Sequence, residues 1–488
     1  MTFDPARRRF LTQATVAAGT LVAASLFSPE AVLAAALPDD WQLGFADLEG
    51  DLAPTAMRLV QGRAPYGLAG RLYRNGPAKF RRGTTSAGHW FDGDGLIRRF
   101  TLGEGGADLS ARFVDTTKRR IEVKAGAMIV PGFGTPAGPG VALSNNDDAS
   151  PANTSVMMAG SEMWALWEAG SPMRIDPVTL ETRGFRTLGE GLEHMPFLAH
   201  PRIEADGTVW NLGQAGRQAI VWRLAKNGVL EAATPAELPR ASYIHDFTAT
   251  ERCLVIVLQP WVRTRDAMPI IDALEWRPEL GTQVLVLDKA DLSRRRVFEL
   301  PAFSFFHLGD AWEERDGTVR FDACIEHDPA FGASGARALI AGHIVPSPLP
   351  TLAMIALHGN GRGELNPTGI AAEFPRSDPR RAGLVRRYSI HTALYRGGPL
   401  ARGVGVFDWR TGRDSRFDFG DRQIAEEFLF VPAGAGEADG WLVGTTLNLA
   451  ARETELHAFR ADDVASGPVA TWSAGTALPL GFHGTFVA

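Results

Sequence analysis

The sequence predicts an all-β fold, a seven-bladed β-propeller, and three observations carry that expectation. The composition is turn-rich yet apolar, a strand hairpin recurs along the chain, and helical periodicity is scarce beyond the first few dozen residues. Of 488 residues 45% are hydrophobic, while 53 are glycine and 31 are proline. Disordered chains can share the glycine and proline but lack the apolar fraction needed for a core. Length alone would suggest two or three domains, but closed β-architectures run long as one unit.

The recurring unit is an alternating apolar strand, a short polar turn, then a second strand. It occurs at Ile97-Arg-Arg-Phe100, Met173-Arg-Ile-Asp176, Ile220-Val-Trp-Arg223 and Val284-Leu-Val-Leu287. It continues at Met354-Ile-Ala-Leu357, Val404-Gly-Val-Phe407 and His457-Ala-Phe-Arg460. Spacings of roughly 50 to 75 residues are what stacked four-stranded blades produce, and seven occurrences predict seven blades. Longer segments, about residues 123–158, 259–282 and 358–384, interrupt the pattern. Loops of that length in a compact domain are usually functional, and these are expected to gather on one face as a cap.

Residues 1–36 read differently. Arg7-Arg8-Arg9-Phe10-Leu11 precedes an apolar run from about Ala14 to Phe27, and Ala34-Ala35-Ala36 offers a cleavage site. That order is a signal peptide of the twin-arginine type, and its apolar run is too short to span a membrane. It predicts a partner in the twin-arginine (Tat) export machinery and a periplasmic or secreted protein, with membrane association as a further reading. Residues 37–488 are then one propeller domain. A formal net charge of -6 and the lack of a basic stripe interleaved with aromatics argue against nucleic acid. The two cysteines, Cys253 and Cys324, lie in apolar strand-like runs without metal-site spacing and read as buried free thiols.

Four of the eleven histidines share a setting. His200 stands in Phe197-Leu-Ala-His200-Pro, His245 in Tyr243-Ile-His245-Asp-Phe, His307 in Phe305-Phe-His307-Leu and His483 in Gly481-Phe-His483-Gly. Each follows apolar or aromatic residues at the edge of a strand, and in a propeller such edges converge on the central axis. Four imidazoles there would form a metal site with no charged ligand, suited to Fe, Cu, Ni or Zn. Each histidine taken alone reads better as a core residue hydrogen-bonded to backbone. His194, six residues before His200, is the nearest competitor. Asp92 and Asp94 look like a carboxylate pair but read as turn residues.

Arg74-Asn75-Gly76-Pro77, the run His89-Trp90-Phe91-Asp92-Gly93-Asp94-Gly95, the four histidine contexts and the terminal Gly-Phe-His-Gly resemble the carotenoid cleavage oxygenases. The motifs run from about residue 74 to 483. The resemblance implies one Fe(2+) per chain on the propeller axis, under a helical dome enclosing an apolar tunnel. It implies His200, His245, His307 and His483 as iron ligands, with Glu168, Glu373 and Glu427 behind them. Such carboxylates hold the far N–H of each ring and offset the charge of a dication bound by neutral ligands. Thr154, in Ala152-Asn153-Thr154, matches the family's methyl-bearing residue that blocks one open iron position and leaves a single one for O₂.

The implied reaction inserts O₂ across a carbon–carbon double bond, with an apolar polyene, a carotenoid or apocarotenoid, as substrate. Family members that cleave stilbenes or phenylpropenes ionise a phenol with a tyrosine and a lysine; Lys118 could be the lysine, but none of the five tyrosines stands near the Phe-Asp-Gly-Asp-Gly turn. A third reading is a secreted propeller that binds a ligand without catalysis. For substrate entry, Trp261 to Trp276 combines Met268, Ile270, Ile271 and Leu274 with Arg263 and Arg265, the composition of a peripheral membrane contact. The same side chains could instead pack the cap onto the propeller.

Overall fold

The computed structural model describes residues 39–488, so the segment read as an export signal lies outside the described residues. Antiparallel strands dominate, and the longest α-helix among the described residues is Thr117–Ala125. Each of the seven recurring apolar tetrads begins in a strand, from Leu96–Gly103 and Met173–Ile175 through to Glu453–Arg460.

Three four-stranded sheets follow one another in the chain, beginning at the strands Ser155–Ala159, Arg202–Ile203 and Thr248–Ala249. A seven-stranded sheet then runs from Ser304–Glu313 to Arg413–Asp418. The last sheet has nine strands and joins the two ends of the described chain. In it Leu52–Gly62 pairs with Ala470–Ser473, and Gly70–Arg74 pairs with the final strand Gly484–Val487. Joining first and last strands removes the exposed edges that an open stack would present.

Face-to-face stacking explains the sequences of the central strands. In Cys253–Leu258, residues Leu254, Ile256 and Leu258 pack with Leu212 and Val221 of the preceding sheet. The alternate residues Val255 and Val257 pack with Phe305, Phe321 and Ile355 of the following one. A strand buried on both faces is continuously apolar rather than alternating, because its period-two side chains each meet a neighbouring sheet.

One segment expected as a cap loop is not a loop. Residues 358–384 contain the 14-residue strand Gly363–Arg376 in the middle of the seven-stranded sheet. Its Pro367 and Gly369 mimic a loop composition, and a register shift on the ladder with Thr351–Leu357, between Pro367 and Ala371, accommodates them. Segments from the other two long stretches, together with the turn Phe331–Gly335 and the helix Ala336–Ile340, surround the main cavity. Both cysteines are free; Cys324 is buried, whereas Cys253 is only half-buried.

Candidate metal centre

The four histidines come from sheet edges. His200 precedes Arg202–Ile203, His245 precedes Thr248–Ala249, and His483 directly precedes Gly484–Val487, each the edge strand of its sheet. His307 lies within the edge strand Ser304–Glu313. Buried neighbours, among them Phe197, Ile244, Phe247, Phe305 and Phe482, hold these backbones in place. One ring nitrogen from each histidine lies within 4.8 Å of the others. The Nε2 atoms of His200 and His245 are 3.0 Å apart, as are those of His307 and His483.

Carboxylates stand behind three of the rings. Glu168 contacts His245 Nδ1, Glu373 Oε2 lies 2.5 Å from His307 Nδ1, and Glu427 Oε1 lies 2.9 Å from His483 Nδ1. An Nδ1 facing a carboxylate carries the ring proton, which leaves Nε2 as a bare lone pair. His307 and His483 therefore turn two lone pairs toward each other at 3.0 Å. A cation between them relieves that repulsion. With metal–nitrogen bonds of about 2.1 Å, adjacent octahedral ligands stand roughly 3.0 Å apart. The residues present fit a metal ion.

Electrostatics favour the neutral ring at His200 and His483. Burial drives His200 well below the ordinary imidazole value, and the other three rings add to it. Burial also takes His483 down to about 3, against the pull of Glu427. Burial opposes charge on His245 too, but there Glu168 outweighs it and the value rises. For Glu427 burial works upward, while Arg376 and His483 prevail and hold it well below the usual carboxylate range. Glu373→Gln is expected to keep the fold but lower metal affinity or turnover about 10–100-fold. Metal analysis and kcat check it, and wild-type values for both would make Glu373 a bystander.

The cluster separates two cavities. One, of about 140 Å³, is walled by aromatic and aliphatic side chains including Phe91, Phe133, Phe306, Leu400 and Phe482, and reaches His245, His307, His483 and Thr154. The other, of about 120 Å³, meets His200 with Arg202, Asp246 and Arg376 and is polar. The Thr154 hydroxyl bonds Asn153, and its carbonyl accepts from the His483 N–H at 3.2 Å.

Some residues singled out in the sequence stand elsewhere. His194 bonds Asp147 at 2.8 Å and is not among the four. Lys118 is buried between Asp94 and Glu122 and does not line the apolar cavity. The entry segment is not one exposed apolar surface. Ile271 is buried with Phe133 and Trp261, Ile270 lines the cavity, Leu274 is half-buried, and Met268 remains exposed. Burying Ile271 gains more than leaving it in water, so the segment doubles as a cavity wall.

Other residues escaped the sequence reading. The Tyr243 hydroxyl donates to both oxygens of Glu168, at 3.1 and 3.0 Å, and so braces the carboxylate behind His245. Phe374 stacks on His307 at 4.8 Å between ring centres and sits at φ 51, a strained conformation for a bulky residue. The signal for both was adjacency, Tyr243 to His245 and Phe374 to Glu373. Asp92 accepts from the N–H groups of Phe133, Gly134 and Thr135, and Asp94 holds Arg82, Lys118 and Arg119. These two are anchors for the cavity wall as well as turn residues.

Residues 45–488 match a family described as retinal pigment epithelial membrane protein, RPE65. The apocarotenoid-15,15'-oxygenase of Synechocystis sp. is 27% identical over 480 residues, covering 92% of this chain and 94% of that protein. The isoeugenol monooxygenase of Pseudomonas nitroreducens is 27% identical over 473 residues, covering 90% and 97%. Among solved structures, cobalt-substituted Synechocystis apocarotenoid oxygenase matches with a TM-score of 0.83 at 25% identity, over 93% of this chain and 100% of that one. The match extends over both chain ends that close the nine-stranded sheet and over all four clustered histidines, and on that ground this chain belongs to the RPE65, or carotenoid oxygenase, family.

Proposed function

We propose that the protein is a non-haem Fe(II) dioxygenase that cleaves a carbon–carbon double bond of a carotenoid or apocarotenoid with O₂, giving two carbonyl products. The observation that carries this reading is the convergence of four imidazoles, three of which line one apolar cavity. The ion would be held by His200, His245, His307 and His483, one per chain. Glu168, Glu373 and Glu427 fix three of those rings and offset the dication. Bound iron would supply the redox chemistry with O₂. The protein itself orients the ligands, excludes water and aligns the alkene along the apolar wall, where burial stabilises the complex by roughly 25 cal/mol per Å². Thr154, with its hydroxyl engaged by Asn153, has its methyl group available to restrict one approach to the ion.

Likeness to isoeugenol monooxygenase supports a second reading, cleavage of a stilbene or phenylpropene. Against it, Lys118 is engaged by two carboxylates and Tyr243 by Glu168, so the tyrosine–lysine pair that would ionise a phenol is not assembled. Product analysis of metal-loaded protein on apocarotenals, stilbenes and isoeugenol tests both. Aldehydes from the polyenes alone support the first reading, and cleavage of the phenolics alone replaces it with the second. A metal-free protein that cleaves nothing would be a ligand-binding propeller.

Further features of this reading follow from the sheets and the sequence. Sharing Gly363–Arg376 between two halves of the seven-stranded sheet yields two four-stranded groups, and sharing Leu52–Gly62 between two halves of the nine-stranded sheet yields two five-stranded groups, which with the three separate sheets count as seven blades. The helices Thr117–Ala125 and Ala336–Ile340 are the candidate dome. Residues 1–36 would export the folded domain 37–488 to the periplasm or beyond, a route tested by fractionation after replacing Arg8 and Arg9. Exposed Met268, two residues from cavity-lining Ile270, supports peripheral membrane contact at the tunnel mouth. Unchanged liposome binding by Met268→Glu would remove it.

A further inference from the structure

We propose that Glu326 is the polar contact for an oxygen atom on the substrate, so that the alkene accepted by the apolar cavity carries a carbonyl or hydroxyl group. The inference deepens the oxygenase reading but stands on cavity geometry. Four glutamates line this cavity, and three are engaged. Glu168 serves His245 and Tyr243, Glu373 serves His307 and the Phe374 N–H, and Glu426 serves Arg98, Thr445 and the Gly481 N–H. Glu326 is only 6% exposed, and its Oε2 has no hydrogen-bond partner among the described residues.

Glu326 ends the strand Val319–Glu326 and pairs in register with Ser304, three residues before His307. Its side chain is therefore held by the sheet that carries His307. A buried carboxyl oxygen without a partner is unfavourable, and native proteins leave few such atoms unsatisfied. Burial, with the Glu373 and Asp328 carboxylates nearby, pushes its acid well above the usual range. That direction favours the protonated form, and a protonated carboxyl can donate to a carbonyl or accept from a hydroxyl. A pure hydrocarbon would displace water from the cavity and leave this group orphaned.

Trp90 and Trp167 line the same cavity, so quenching of their fluorescence reads binding without turnover. The full metal-loaded protein is titrated with three polyenes of equal length, ending in an aldehyde, an alcohol or a methyl group. The wild type should prefer an oxygenated end, and whether the aldehyde or the alcohol wins identifies the group. Glu326→Leu should cut that preference about 10-fold or more, while Glu326→Gln, which keeps a donor and an acceptor, retains most of it. Glu326→Met takes the place of the leucine variant if that one does not fold. Equal weakening for all three polyenes would assign Glu326 a structural role, and an unchanged preference would make it an acid satisfied by water; either overturns the proposal. A preference lost in Glu326→Leu stands even if no polyene is cleaved. Cleavage with unchanged preference keeps the oxygenase reading and removes Glu326.

Discussion

Replacing any one of His200, His245, His307 or His483 by alanine is expected to empty the metal centre and abolish turnover. Each ring supplies one of four nitrogens gathered within 4.8 Å, and each is one of only four donors the ion would have. Loss of one donor also breaks one of the two facing pairs, His200–His245 or His307–His483, so a remaining ion would lose both a bond and its geometry. Metal content measured on purified protein should fall to near background in all four variants, with folded circular dichroism spectra. His194→Ala and His343→Ala serve as controls, since His194 is tied to Asp147 and His343 is exposed. If His194→Ala emptied the site while His200→Ala kept full metal, the four-histidine assignment would fail.

Asp94→Ala is expected to be the most damaging single change away from the metal. Its carboxylate is buried and meets Arg82, Lys118 at 3.3 Å and Arg119 at 2.9 Å. Burial works to raise its acid, yet the cations, Lys118 foremost, hold it below the ordinary carboxylate value. Removing it leaves the Arg82 guanidinium without its ion pair at 7% side-chain exposure and leaves Lys118 with Glu122 alone. Breaking a buried ion pair from one side typically costs about 3–5 kcal/mol. The same turn presents Trp90 and Phe91 to the cavity, so loosening it should also weaken substrate binding. Urea unfolding reads the stability; a midpoint within error of the wild type would show that water or neighbouring groups compensate fully.

Much of the strand content was legible because it is local. The run Cys253-Leu-Val-Ile-Val-Leu258 announces a strand buried on both faces, and each of the seven quoted tetrads begins in a strand. The aromatic contexts of the four histidines were legible for a similar reason, since a ring at a strand edge needs buried neighbours within a few residues. The stretch 358–384 resembles a loop in sequence because proline and glycine carry the same local signal in a loop and in a bulged strand, and only pairing with Thr351–Leu357 and Tyr388–Ala393 distinguishes them. Glu326 is invisible as a member of the site. Nothing in its own segment separates a carboxyl lining a cavity from one in solvent.

The sequence by itself determined the turn-rich all-β character, the strand positions and four histidines in matching settings. These depend on side-chain alternation and on neighbours within about ten residues, the range over which backbone preference and apolar periodicity act. The tertiary structure alone decided which of those histidines meet, which glutamate holds which ring, and that Gly484–Val487 closes on Gly70–Arg74. The glutamate–histidine contacts join residues 77, 66 and 56 positions apart. Contacts at such separations form only when stacked sheets bring their edges to one place, so no local pattern can record them.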